Sequence, residues 1–347
     1  EILIGLVGSE MCIRDRLSSI LSFVWRGIVV GCVSGIVVSL FRLLIGFISA
    51  KVVNYYELSH EQPSLLILIL GMTLFIVVAI GFLIKSDSDI KGSGIPHVEG
   101  ELKGLLHPDW WSVLWKKFVG GVLAISMGFM LGREGPSIQL GAMAGKGVAQ
   151  SLKAERMEKR VLIASGAAAG LSAAFNAPIA GLLFVIEEIY HQFSRLVWIT
   201  ALVASLVANF ISLNIFGLTP VLDMPGDLAV LPLKHYWILL LLGAFLGVMG
   251  YIYEKTTLKA TIIYDFLGKV FHISNYFYGI FAAILILPIG YFYPQLLGGG
   301  NGLITSLSTS HLTLMIVFIY FIIRFVWSML SLSLIHISEP TRPISIS

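Results

Sequence analysis

The chain has 347 residues, of which 57% are hydrophobic and 12% are charged, and its formal net charge is +3. A soluble domain cannot bury so much apolar surface, so the composition excludes that class and indicates a multi-pass membrane protein. The small net charge does not indicate nucleic-acid binding. The only cysteines, Cys12 and Cys32, argue against a disulfide framework.

Apolar runs separated by polar turns predict an all-α fold whose helices span the membrane or lie buried in it. Several runs are shorter than the roughly 20 residues that a bilayer requires, and glycine and proline interrupt them. Such pieces predict re-entrant, half-crossing helices that meet inside the protein. The predicted segments are 20–48, 64–84, 112–131, 136–151, 161–174, 177–190, 195–217, 233–253, 276–293 and 311–330.

The first glycine motif is Gly-Ser-Gly-Ile-Pro at residues 92–96. We predict that Ser93 is the N-cap of a short helix, and that its hydroxyl can also donate to a bound anion. Gly94 lets backbone N–H groups, including that of Ile95, approach a ligand without a Cβ in the way. A tight turn without a ligand is the alternative interpretation of this motif.

The second glycine motif, Gly-Arg-Glu-Gly-Pro at residues 132–136, places two opposite charges inside an apolar stretch. Charges at such depth are costly in lipid and are usually functional. Pro136 fits the first turn of a helix, so Glu134 is predicted to lie just outside the helix N-terminus. Free N–H groups attract anions there, so a carboxylate can occupy an anion site or leave it when protonated.

Three blocks of this sequence resemble the CLC family of chloride channels and proton–chloride antiporters. They are GSGIPHVEGEL at 92–102, LGREGPSIQLGA at 131–142 and GLSAAFNAPIAGLLFVIEE at 170–188, and the resemblance extends over about 17–330. It implies an all-α polytopic fold with an inverted-topology repeat, of which the second half is incomplete here. It also implies chloride transport by broken helices, a homodimer in a lipid bilayer and no cofactor. The implied location is the bacterial cytoplasmic membrane.

The resemblance also implies roles for individual residues. Ser93, with Gly94, Ile95 and Gly135, matches the anion site, and Glu134 matches the gating glutamate that competes with chloride and carries protons. Glu188 matches the internal proton-transfer glutamate of antiporters, with Glu187 as its neighbour. Channel members usually have an apolar residue at the Glu188 position, so the resemblance favours proton-coupled chloride antiport. Lys117 and Glu99 match charged positions that shape the field around the anion path. Arg133 is assigned the same electrostatic role because it lies beside Glu134 in the sequence.

Other interpretations of these charged residues stay open. Adjacent carboxylates at a helix end, such as Glu187 and Glu188, are often only solvated surface. Lys117 could extend outward to the interface. Arg133 could attract anions to an outer vestibule, or it could form an ion pair that permits Glu134 to be buried.

Both ends of the chain depart from the family pattern. Residues 1–16 and 331–347 are predicted to be non-native sequence, which leaves a first repeat at 17–217 and a partial second repeat at 218–330. The family's third glycine motif would follow residue 330, and the tail lacks glycine.

Three other functions are weighed beside antiport. They are a passive voltage- or pH-gated chloride channel, an inactive fragment, and an intramembrane enzyme using Ser165 or the carboxylates. No Ser/His or Asp/Asp catalytic pattern supports an enzyme, and no metal-ligand pattern is present in the sequence. We therefore expect neither enzymatic activity nor a bound metal.

Overall fold

The computed structural model describes residues 2–191, 194–218, 231–272, 274–309 and 312–335, and all regular structure within these ranges is helical. The predicted all-α fold class is therefore confirmed. Short 3₁₀ turns lie at Ser88–Ile90, Leu233–His235, Asn275–Phe277 and Pro294–Leu296, and a π-helical turn lies at Val185–Tyr190. The α-helices are α1 Ile2–Leu58, α2 Ser64–Ser86, α3 Ile95–Leu102, α4 Trp110–Ser126, α5 Glu134–Ser151, α6 Arg156–Phe175, α7 Pro178–Phe184, α8 Arg195–Phe216, α9 Trp237–Phe271, α10 Gly279–Phe292, α11 Asn301–Thr309 and α12 Leu314–Ile335.

Within the described ranges, four helical stretches are long and apolar enough to cross a membrane, as expected for a polytopic protein. They are Ile20–Leu58, Ser64–Ser86, Arg195–Phe216 and Leu233–Thr256. Neither α5 nor α6 is among them, which agrees with their prediction as buried segments.

Several helices differ from the predicted segments, among them α1, which continues to Leu58 and not to residue 48. The segment predicted over 112–131 stops being helical at Ser126, because Gly128 has a left-handed backbone with φ of +93°. Helix α9 continues to Phe271, well beyond the predicted end at 253. Helix α11 was not predicted, because its nine residues are mostly polar or small and give no long apolar run.

The chain forms two compact units, each built from three stretches. The first unit comprises Glu1–Leu44, Ser93–Val119 and Arg133–Pro220. The second comprises Ile45–Gly92, Gly120–Gly132 and Val221–Ser347. The division into two sequence repeats stays a prediction, and so does the non-native character of the two chain ends.

Glycines set the packing of the first unit. Helices α5 and α6 touch backbone to backbone, since a Cβ on Gly141 would overlap the carbonyl oxygen of Gly166 and the reverse also holds. Helix α1 approaches α8 in the same way, because a Cβ on Gly31 would lie 2.6 Å from the carbonyl oxygen of Ala204. Small residues permit this close approach of membrane helices.

The second unit has an apolar core and a glycine-containing loop that is hydrogen-bonded to a neighbouring helix. Its core cluster contains Met130, Ile289, Leu296, Leu303 and Tyr320. The Arg324 guanidinium donates to the carbonyl oxygens of Leu296 at 2.6 Å and Gly298 at 3.1 Å, so α12 holds the loop that precedes α11.

Candidate anion and proton sites

The first glycine motif forms the N-terminus of α3, but its cap differs from the predicted one. Gly94 is the N-cap, not Ser93, and its φ of +87° is left-handed. A Cβ at Gly94 would lie 2.6 Å from the Cβ of Gln139, so only glycine fits there. The helix is capped without a side-chain hydrogen bond, and Ser93 is exposed.

The second glycine motif forms the N-terminus of α5. Glu134 is the first helical residue, so the prediction that it lies outside the helix was wrong by one position. The reason is that Arg133 already has helical backbone angles, and its carbonyl oxygen accepts from the Ser137 amide at 3.0 Å and the Ser137 hydroxyl at 2.7 Å. Pro136 lies in the first turn, where its missing N–H leaves no bond unmade.

The two helix N-termini meet. A Cβ on Gly135 would lie 2.8 Å from the Cβ of Ser93 and 2.9 Å from its Cα, so the two motifs are in direct backbone contact. Glu134 and Ser93 are both exposed at this end of the unit. The N-terminal ends of two helices therefore begin at one place, and their helix dipoles favour negative charge there.

Arg133 lies beside this contact and is partly buried. Its guanidinium carbon is 6.0 Å from the centre of the Phe175 ring, and its Nε has no hydrogen-bond partner. Glu134 is exposed, so the alternative in which Arg133 permits its burial does not fit the geometry. A cation at this position raises the local concentration of anions.

The two acidic residues of the predicted proton path lie in the π-helical turn that follows α7. Glu187 and Glu188 are both exposed. His191 ends this turn with a left-handed φ of +53°, and its Nδ1 lies 2.9 Å from the carbonyl oxygen of Glu187. π-Helical turns occur frequently at functional sites.

Glu99 lies beside the π-helical turn that holds Glu187 and Glu188, and not beside the two helix N-termini. Its Oε1 lies 2.5 Å from Lys103 Nζ and 3.2 Å from His191 Nε2. Lys117 is buried in α4, so it does not extend outward as the alternative interpretation required. The structure thus brings Ser93, Gly94, Ile95, Gly135, Glu134 and Arg133 together, and separately gathers Glu99 beside the turn that holds Glu187 and Glu188.

Sequence reasoning missed two polar residues of α5, Gln139 and Lys146. Both are buried, and Gln139 packs on Gly94 while Lys146 pairs with Glu101. A polar residue at helical spacing from Gly135 within an otherwise buried helix was the available signal.

Ser165, the nucleophile of the enzyme alternative, is buried and donates to the carbonyl oxygen of Val161 at 2.8 Å.

Comparisons with known proteins identify relatives over most of the chain. A family model described as voltage gated chloride channel matches residues 75–336. The H(+)/Cl(−) exchange transporter ClcA of Vibrio parahaemolyticus is 34% identical over 325 residues, covering 91% of this chain and 68% of that protein.

Solved structures agree with this match. A slow cyanobacterial Cl−/H+ antiporter is 27% identical with a TM-score of 0.82, over 90% of this chain and 74% of that one. A CLC-type fluoride/proton antiporter is 21% identical with a TM-score of 0.73, over 91% and 76% of the two chains, and this likeness concerns the fold alone.

Proposed function

Because the chain belongs to the voltage-gated chloride channel (CLC) family, an integral membrane family of transporters, we propose that it exchanges chloride for protons across a membrane. The relative from Vibrio parahaemolyticus and the cyanobacterial antiporter both carry this activity in their names. The acidic Glu188, where the resemblance gives channel members an apolar residue, supports exchange over passive conduction.

The observation that supports this function most strongly is the contact between Ser93 and Gly135. It brings the N-termini of α3 and α5 to one place, where backbone N–H groups can donate to a halide. In the proposal, chloride binds at this junction, and the exposed Ser93 hydroxyl donates a further hydrogen bond to it.

Glu134 acts as the gate of the proposed site. Its ionised carboxylate and a chloride ion carry the same charge, and both are attracted to the N-terminus of α5, so they compete for one position. Protonation removes the charge of Glu134 and with it the attraction. Exchange follows because the carboxylate takes up a proton when chloride displaces it and releases that proton when it returns.

Glu188 and Glu187 pass protons between Glu134 and the other side of the membrane in this proposal. Their exposure in the described unit gives water direct access to both carboxylates. Arg133, Lys117 and Glu99 adjust the field along the two paths. A homodimer in the lipid of a bacterial cytoplasmic membrane, with repeats at 17–217 and 218–330, completes the proposal.

Flux measurements on the full-length protein in proteoliposomes test the proposal. A chloride gradient should drive protons uphill, and Glu134→Gln should leave chloride movement without proton coupling. Glu155→Gln, which changes an exposed carboxylate away from both sites, is the matched control and should keep coupling. Chloride flux with no uphill proton movement in the unsubstituted protein would establish the passive channel instead, and full coupling in Glu134→Gln would refute the gate.

A further inference from the structure

The contact between α3 and α5 has a second polar end, remote from the helix N-termini. Glu101, near the C-terminal end of α3, forms an ion pair with Lys146 of α5. Their side chains are only 5% and 4% exposed. Lys146 Nζ also donates to the carbonyl oxygen of Pro108 at 2.6 Å, so it ties α5 to the segment that leads into α4.

This ion pair lies in the same interface between α3 and α5 as the proposed anion site, and we call this interface the α3–α5 seam. On α5, Gly135, Gln139 and Lys146 occupy positions i, i+4 and i+11, which share one face of a helix. Gly135 meets Ser93 and Gln139 meets Gly94. The seam therefore runs from the junction of the two N-termini at one end to the buried ion pair at the other.

The burial of Glu101 and Lys146 indicates a role other than stability. Removing two charges from water is costly, and apolar residues of similar volume are often as stabilising or more so. The carboxylate of Glu101 depends on Lys146 for its ion pair, since its second oxygen, Oε2, has no hydrogen-bond partner. An ion pair of this kind fixes the register of the two helices, which an apolar contact does less strictly.

We propose that Glu101 and Lys146 are positioning residues for the anion site, holding α3 against α5 so that Ser93 and Gly135 stay in contact. This role rests on the proposed function, because it concerns the site where chloride is to bind. The α3 helix has only eight residues, so a tilt at its C-terminal end moves its N-terminus as a rigid piece. Neither residue touches the ion in this proposal, and both act through the geometry of the two helices.

The test uses the double variant Glu101→Leu/Lys146→Met of the full-length protein, in which the charges are replaced by apolar side chains of similar size. Chloride affinity is measured by titration calorimetry, and folding by thermal unfolding. We expect an unfolding temperature equal to or above that of the unsubstituted protein, together with a chloride Kd raised about tenfold, because small displacements of ligand-binding groups are costly.

The ion pair between Arg26 and Glu158 provides the matched control. It lies in the same unit at 2.7 Å, but it links α1 to α6 and is not part of the α3–α5 seam. Arg26→Gln/Glu158→Gln should leave the chloride Kd unchanged. An altered Kd in this control as well would show a general effect of lost ion pairs and would contradict the positioning role.

The outcomes separate the two proposals. A stable double variant that binds chloride as tightly as the unsubstituted protein overturns the positioning role alone. An unsubstituted protein that binds no chloride overturns the proposed function. If the double variant does not fold, Glu101→Asp decides the question, since it keeps the charge and shortens the side chain by one methylene. An unchanged Kd in Glu101→Asp contradicts the positioning role.

Discussion

The backbone of Gly135 lies directly against Ser93, so the N-terminal ends of two helices that are about 40 residues apart in sequence meet at this contact. This contact leaves no room for a side chain at position 135. It also explains why a glycine follows Glu134, since any larger residue would push the two helix N-termini apart.

Gly135→Ala should separate the N-termini and weaken chloride binding. The added methyl group would lie 2.8 Å from the Ser93 Cβ, and overpacking of this kind costs about 1–3 kcal/mol. We expect a lower unfolding temperature and a weaker chloride affinity, measured by thermal unfolding and calorimetry. Gly71→Ala in α2 is the control, because a Cβ there meets no atom within 4 Å. Equal chloride affinities in the two variants would contradict this account.

Glu188→Gln should abolish proton transport and leave chloride binding unchanged. The amide cannot carry a proton as a carboxylate does, and Glu188 lies in the π-helical turn, outside the contact that forms the anion site. Glu187→Gln should reduce proton transport less, because its role in the proposal is to support Glu188. Parallel proton and chloride flux assays in proteoliposomes distinguish the two variants. Normal coupling in Glu188→Gln would remove this residue from the proton path.

Gly141→Ala should destabilise the first unit strongly. Its new methyl group would overlap the carbonyl oxygen of Gly166, which belongs to the backbone of α6 and cannot rotate away. We expect a loss of about 3 kcal/mol in the free energy of unfolding. Gly243→Ala in α9, where a Cβ has nothing within 4 Å, should be neutral or slightly stabilising. Similar unfolding temperatures for the two variants would show that α5 and α6 can move apart at little cost.

Acidification should remove the contribution of Glu99 to stability. The hydrogen bond from Lys103 lowers the pKa of Glu99 below its usual value. A carboxylate with a depressed folded-state pKa stabilises the fold above its unfolded pKa, and this stabilisation disappears as the pH falls through the folded-state pKa. The unfolding temperature of the unsubstituted protein should therefore exceed that of Glu99→Gln at neutral pH and converge with it as the pH falls below the folded-state pKa of Glu99.

Lys103→Gln serves as the companion variant for the acid titration. It removes one partner of Glu99 and leaves His191 in place, so the stabilisation that it loses on acidification should be smaller than that of the unsubstituted protein. A gap between the unsubstituted protein and Glu99→Gln that stays constant on acidification would assign the effect to packing and not to ionisation.

Much of the fold could be predicted from local patterns. Apolar runs located α2 and α8 to within two residues at each end, and the two glycine motifs located the starts of α3 and α5. Helix α11 was beyond such reasoning, because nine residues rich in small and polar side chains have no distinctive periodicity. The N-cap of α3 was misassigned because the choice of Gly94 depends on Gln139, a residue on another helix.

The sequence by itself determined that this is an all-α membrane protein and which motifs carry glycine-flanked charges, since composition and local spacing decide both. Only the tertiary structure decided that Ser93 lies against Gly135 and that Glu101 pairs with Lys146. The physical reason is that both contacts join α3 to α5. A glycine is required only where another backbone approaches it, and burying a charge is tolerable only beside a partner of opposite sign. That partner is selected by how two helices cross, and no local pattern in either helix specifies the crossing.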